Sequence, residues 1–477
     1  MVPWPSQRIV VVKLAFITNY EKTIYFHRIA RKLEQAGHDV SWIAPSHHWA
    51  EWLASEGTAR DAILDLSVYG REWREGRASE ADRERLAALE SASGVRFNDV
   101  ALMDRILRVR STEALAAYFA VTTRELDRFI AAQGIDVVFA EQTFGVELMT
   151  GMVCRAQGRT LLVPHVVRIP SGRMGFFRGH LQAELAGFRD VTPAHRAEAT
   201  AFLETFRRDR PRPEYFLRND RVPVPRAEWP AKLLKHARLQ LRDPYDETHF
   251  SPAWLVKKRV GEVVNALSHR LDNPFWVPPQ PPPRPFVLFP LHRQPESSID
   301  VLGSRLSNQV DLVRALTRTL PATHDLYVKE HPNGLGDRSP RTLRELRAIP
   351  GVRLVAPKVS TFALSEAADL VITVSGTAAY EAALLRRPAA AIADMFFGPI
   401  LTTARFNPYE DSVADLLAHR DVVPDSALVD FLANVIAQSY PGFIDNPTFS
   451  PRILDEDNIS SVARGFLDLL ASGRACS

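Results

Sequence analysis

Short apolar runs separated by amphipathic stretches recur along this chain, and their spacing sets the expected architecture before any single residue is weighed. Ile9 to Thr18 reads as a first buried strand, followed by a loop at Asn19 to Lys22, a helix that stops at Gly37, and a second strand at Asp39 to Ile43. Residues 50 to 133 read as mostly helical. Ile135 to Ala140 returns as a buried strand, and a helix through Arg155 with a strand at Thr160 to Val167 completes another βαβ unit. After Phe286 the alternation is regular, with strands at Phe286 to Leu291, Asp325 to Lys329, Val352 to Val355, Leu370 to Val374 and Ala389 to Ala393 and helices between them. Such alternation predicts parallel sheets covered on both faces.

Between Ser171 and Leu271 the pattern loosens. Arg173-Met-Gly-Phe-Phe-Arg178 interleaves bases with aromatics, and Ala231 to Arg242 reads as a basic amphipathic helix. Both suit an acceptor-binding or membrane-facing surface, and the helix equally suits an ordinary solvated one packed on its Leu face. Asn273 to Pro285, with Pro278-Pro-Gln-Pro-Pro-Pro283, has the polyproline character of a semi-rigid spacer. The expected organisation is therefore an α/β fold of two Rossmann-like domains, residues 1–272 and 286–477, joined by a linker at 273–285 and facing an interdomain cleft. The last helix, Asp457 to Ala471, is expected to return toward the first domain.

Composition narrows the class. A chain of 477 residues exceeds what one core usually covers, and 46% hydrophobic with 24% charged residues is ordinary for a soluble protein. The formal charge of +3 is too small to argue for nucleic acid, and no run approaches the roughly 18 apolar residues of a membrane span. Cys154 and Cys476 lie too far apart in sequence to suggest a disulfide framework or zinc site, which fits a cytoplasmic setting. The first βαβ unit lacks a Gly-x-Gly-x-x-Gly run, so nothing there asks for a dinucleotide.

The candidate chemistry sits at strand ends. Asp369 to Val374 breaks at Ser375-Gly376-Thr377 into a helix, where Gly376 permits a tight turn and the free amides of the helix start favour a phosphate. Lys329, Glu330 and His331 end another strand at the same edge of the sheet. Either motif alone is as well explained by a structural turn, and Lys329 by pairing with Glu330; together they predict a phosphate site. Glu141 ends a buried strand and is the first candidate for general base or nucleophile, with Glu296 second. The other reading of Glu141 is a carboxylate that stabilises the following helix. Gln294 is placed to reach donor or acceptor, and Asn19 and Tyr20 to line the acceptor side. Asp455-Glu-Asp457 has a metal-site spacing but immediately precedes a helix, so N-capping is expected and no metal is required.

The succession Phe289-Pro-Leu-His-Arg-Gln-Pro-Glu-Ser-Ser-Ile-Asp300, Val328-Lys-Glu-His-Pro332 and Ser375-Gly-Thr-Ala-Ala-Tyr-Glu-Ala382 resembles the bacterial capsule polysaccharide biosynthesis proteins, which include β-Kdo transferases using CMP-Kdo. The resemblance covers about residues 286 to 398 and, in the first domain, the surroundings of Glu141. It implies a GT-B architecture, a nucleotide-sugar donor, CMP-Kdo, held mostly by the second domain, and no obligatory cofactor. The implied acceptor is a growing surface polysaccharide or its lipid-linked form, with peripheral membrane contact or a capsule assembly complex. The His-Pro signature is also similar to GT-B sialyltransferases, which implies that His331 meets the CMP phosphate, that the Ser375 and Thr377 hydroxyls hold it, and that Glu381 binds the ribose. A nucleotide-sugar epimerase, a CDP-polyol phosphotransferase and a non-catalytic nucleotide-sugar scaffold remain as alternatives. The lack of a Ser-Asp-x-Ser-Ser-like stretch near Ser375 argues against the phosphotransferase.

Overall fold

The computed structural model describes residues 11–211, 229–246, 248, 250–334, 336–448 and 450–475, so Ile9 and Cys476 lie outside the described residues. The first strand, β1 (Lys13–Ile17), pairs in parallel with β2 (Asp39–Ala44), and β2 with β3 (Ile63–Asp65). On its other side β1 pairs in parallel with β4 (Val137–Phe139), and β4 with β5 (Thr160–Val166). The order β3-β2-β1-β4-β5 is that of a doubly wound sheet whose direction of winding reverses between β1 and β4. Beyond β5, the strand β6 (Arg173–Arg178) runs antiparallel and pairs with β7 (Glu184–Leu185), so this sheet is mixed rather than wholly parallel as expected.

The second sheet repeats the same winding. Its central strand β8 (Phe286–Pro290) is flanked on one side by β9 (Asp325–Lys329) and β10 (Val352–Val355), and on the other by β11 (Leu370–Thr373) and β12 (Ala389–Ala391). Every pairing is parallel. Val287, Leu288, Leu326, Val328, Val371 and Ile372 are fully buried, as apolar runs covered on both faces must be. The chain then returns: β13 (Ser439–Pro441) pairs antiparallel with β6 in the first sheet.

Helices α1 (Lys22–Gln35) and α2 (Gly145–Ala156) belong to the first lobe, and α3 (Pro193–Asp209), α4 (Trp229–Arg242) and α5 (Pro252–Leu271) precede the proline-rich stretch. In the second half come α6 (Thr377–Leu384), α7 (Asp425–Ala437) and α8 (Glu456–Ala471). The last of these lies on the first lobe, where Phe466 meets the rings of Phe139 and Phe176 at centroid distances of 4.7 and 4.8 Å. Glu456 pairs with Lys32 of α1 at 2.5 Å, and Asp455 stands at the N-cap position without a side-chain capping bond. By its place in sequence α3 goes with the first lobe, yet it crosses the other way. Arg207 holds Asp425 of α7 at 2.7 and 2.9 Å and donates to the Leu384 carbonyl at 2.8 Å.

The expectation that Arg173 to Arg178 forms an exposed basic and aromatic surface is overturned. That run is β6, enclosed between β5 and the pair β7 and β13, with Met174, Phe176 and Phe177 fully buried. Its first arginine turns back to donate to the Ile436 and Ser439 carbonyls, both at 2.9 Å.

Candidate active site

A doubly wound sheet leaves its crevice at the C-terminal ends of the strands where the winding reverses. In the first lobe this brings the loop after β1 beside the loop after β4. Asn19 donates from Nδ2 to Glu141 Oε2 at 3.2 Å and to Thr143 Oγ1 at 3.0 Å, and Lys22 Nζ lies 2.5 Å from Glu141 Oε2. Glu141 is buried but does not cap α2. That work falls to Glu147, which accepts the Phe144 amide at 2.6 Å, and to Asp104, which accepts the Gly145 amide at 2.6 Å. His165, near the end of β5, donates from Nδ1 to the Val166 carbonyl at 3.0 Å. Burial takes its pKa down to about 4, with Arg168 adding to the shift and Glu141 opposing it. Tyr20, expected beside Asn19, donates its hydroxyl to the Thr248 carbonyl and sets its ring edge-on to Phe144 at 5.5 Å, tying the loop to the segment between α4 and α5.

In the second lobe the reversal falls between β8 and β11. His292, just past β8, accepts at Nε2 from the Ser375 amide at 3.4 Å, and the Gly376 amide donates to Thr373 Oγ1 at 3.0 Å. Gly376 has an ordinary extended backbone, φ −76° and ψ 157°, so the expected turn-forming freedom is not why glycine stands there. Closeness is the reason: a Cβ would lie 2.7 Å from Thr373 Oγ1 and 3.3 Å from His292 Cε1. Helix α6 then starts with no side chain capping it, and the amides of its first turn have no intrahelical partners. The expected pair of phosphate-holding hydroxyls is otherwise employed. Ser375 is fully buried and donates its hydroxyl to the Ser298 carbonyl, while Thr377 hydrogen-bonds Glu381. Burial raises the Glu381 carboxyl to about 8, so the group expected at a ribose is mostly protonated at neutral pH.

His331 and the Ser375 turn follow β9 and β11, which are not adjacent: β8 lies between them, and His292 at its end stands between the two motifs. His331 Nδ1 accepts the Asn333 amide at 3.1 Å, which leaves the proton of the neutral ring on Nε2. Burial, with Arg293, His292, Lys329 and Arg338 nearby, takes its pKa to about 3. His292 is likewise brought to about 3 by burial and by Arg168 and Arg338. Arg293 holds Asp337 at 2.8 Å, and Arg338 both pairs with the Glu330 carboxylate and donates to the His292 carbonyl. Lys329 does not take Glu330 as an ion-pair partner in the expected way; it is buried and donates to the Glu330 and Pro357 carbonyls at 3.2 and 3.1 Å. Gln294 gives its amide to Asp300 Oδ1 at 2.8 Å, and Glu296 accepts from Ser298 Oγ at 3.1 Å. Burial raises the Glu296 pKa, against Ser298 and the guanidinium groups of Arg293 and Arg105.

Arg168, just beyond β5, joins the two crevices. Its Nη1 donates to the Ser375 carbonyl at 2.5 Å and its Nη2 to Gln182 Oε1 at 3.0 Å, while Tyr380 of α6 donates to the Ile169 carbonyl at 2.9 Å. Sequence reasoning missed Arg168, for which no local signal exists, and quoted His292 within a motif without giving it a part. A separate cavity of about 390 Å³, lined by Lys13, His38, Asp39 and Gln133 among others, lies at the N-terminal ends of β1 and β2, on the wrong side of the sheet for this chemistry.

No family model matches the chain, and no curated protein matches it in sequence. Among solved structures it is similar to KpsC of Thermosulfurimonas dismutans described as a β-Kdo 2,7 transferase, at 11% identity and TM-score 0.36 over 72% of this chain and 89% of that one. It is also similar to KpsC of the same organism described as a β-Kdo 2,4 transferase, at 14% identity and TM-score 0.37 over 70% and 88% of the two chains. A UDP-GlcNAc 2-epimerase from Neisseria meningitidis bound to UDP-GlcNAc is a third, at 10% identity and TM-score 0.26 over 90% and 98%. At these identities and TM-scores the likenesses carry no argument about chemistry, which rests on the residues themselves.

Proposed function

We propose that this protein is a glycosyltransferase that moves a sugar from a nucleotide-sugar donor, Kdo from CMP-Kdo, to a growing surface polysaccharide or its lipid-linked acceptor. The observation that carries the reading is the meeting of the two crevices at Arg168, with a buried carboxylate on one side and an uncapped helix start among cations on the other. Breaking the bond between the anomeric carbon and the phosphate oxygen leaves charge on the nucleotide. His331 Nε2–H, the first amides of α6, Arg293 and Arg338 are the groups assigned to meet it, as preorganised donors at a leaving oxygen do. They need no metal to do so. On the acceptor side Glu141 takes the proton of the attacking hydroxyl in an inverting transfer, or itself attacks the anomeric carbon in a retaining one. Its presence in the first crevice favours catalysis over a non-catalytic scaffold. Glu296 and Gln294, engaged in a local turn, are given the second part of bounding the donor site.

A thermal-shift panel of CMP, CDP, UDP and GDP tests this, because a ligand selective for the native state raises its apparent stability. Stabilisation by CMP above the others is expected. A preference for UDP would move the reading to the epimerase class, and no shift with any nucleotide would reject a nucleotide-sugar enzyme.

A further inference from the structure

Exposed large apolar side chains are concentrated in one place among the described residues. Val256, Val260, Val264, Leu267 and Leu271 of α5 are all exposed, from 44% for Val256 to 90% for Leu271. With the helical repeat their spacing places all five within an arc of about 80°. Glu262, Ala266 and His269 turn inward on a different face, so α5 carries a packed face and a second apolar face that is exposed among the described residues. Exposed Lys257, Arg259 and Arg270 flank that arc. The only carboxylate of α5, Glu262, is buried and held by Arg259 at 2.6 Å and Lys258 at 3.8 Å. Helix α4 has no acidic residue at all and exposes Leu234 and Leu241 beside Lys235, Arg238 and Arg242. From residue 229 to 271 eight Lys and Arg face four Asp and Glu, a net +4, which exceeds the +3 of the whole chain.

The same segment borders both crevices. Lys235 lies 3.4 Å from Glu21 in the loop after β1, and Asn265 of α5 donates to the Gly336 carbonyl at 2.9 Å in the loop that carries His331. We propose that α4 and α5 dock the protein peripherally on an anionic lipid surface, the Val and Leu arc entering the boundary between headgroups and acyl chains and the flanking cations facing lipid phosphates. A second copy of the chain fits the arc poorly, because cations of one sign rim both faces and self-pairing would oppose like charges. Docked this way, the crevices open beside any acceptor anchored in the lipid. That last consequence rests on the proposed function, whereas the docking does not.

The test is flotation of the full chain with vesicles of phosphatidylcholine containing phosphatidylglycerol and with vesicles of phosphatidylcholine alone. Binding to the anionic vesicles, weakened by added salt, is expected. The pair Val260→Asp and Leu267→Asp should lower it at least about tenfold, since it removes apolar contact and adds repulsion. The unfolding midpoint and the nucleotide thermal shift should stay at wild-type values, which separates a failure of docking from a failure of the nucleotide site. If the midpoint falls, Val260→Ser with Leu267→Ser replaces that pair, with the same direction expected. Absence of wild-type binding to either vesicle, or equal binding by the variants, overturns the proposal. So does a dimer in light scattering that the variants convert to monomer, which assigns the arc to a second copy.

Discussion

Adding one methyl group at Gly376 probes how closely the turn between β11 and α6 is packed. Its backbone, at φ −76°, suits alanine, so removing glycine's freedom in the unfolded chain would by itself favour Gly376→Ala by about 0.4–1 kcal/mol. The space does not suit it. The new Cβ would stand 2.7 Å from Thr373 Oγ1, on a buried β-branched side chain whose oxygen is held by the Gly376 amide, and 3.3 Å from His292. A Cβ contact this short puts the overpacking cost in the upper part of the usual range, about 2–3 kcal/mol, leaving a net loss of about 1–2.6 kcal/mol. Urea unfolding should show this as a lower midpoint at unchanged slope. Gly187→Ala is the control: nothing lies within 4 Å of its Cβ position, and a gain of about 0.4–1 kcal/mol is expected. A Gly376→Ala protein as stable as wild type, with the control behaving as stated, would refute the close packing of His292 and Thr373 on this turn.

Glu141→Gln should lower the rate of sugar transfer by about 10²- to 10⁴-fold while leaving nucleotide affinity unchanged, as measured by turnover and calorimetry on the same preparation; the reverse pattern rejects its acceptor-side role. Glu381 should make stability depend on pH, because its folded pKa is raised to about 8. The stability it contributes is present below its unfolded value and lost as pH rises from about 4.5 to about 8, so Glu381→Gln should gain on wild type across that window in paired unfolding curves. Parallel curves for the two proteins would show that the carboxyl is not held protonated.

Legibility in the sequence followed burial. β9 and β10 begin and end where the apolar runs predict, because Leu326 to Val328 of β9 and Val352, Leu354 and Val355 of β10 are buried, and Arg353 of β10 is exposed at the edge of the sheet. Glu141 and Asn19 were legible as strand-end residues, and the structure brings them within 3.2 Å of each other. What was not legible depended on order in space. That His292 stands beside Ser375 follows from β8 lying next to β11, which no local pattern states. Arg168 reaches the second lobe from an irregular stretch, and α3 carries its buried Phe206 to Phe362, at a centroid distance of 6.0 Å, and its Arg207 to Asp425 of α7, partners far along the chain. Arg173 to Arg178 misled because terminal arginines suggested a wet surface, whereas four small and apolar residues between them fill a strand inside the sheet.

The most direct measurement is titration of CMP by calorimetry into the wild-type protein and into His331→Ala. A neutral imidazole donating from Nε2 to a phosphate oxygen is a hydrogen bond to a charged group, so its loss should weaken binding about 10- to 100-fold. Equal affinity in the two proteins, or no CMP binding to the wild type, would contradict a phosphate held at the C-terminal ends of β8, β9 and β11.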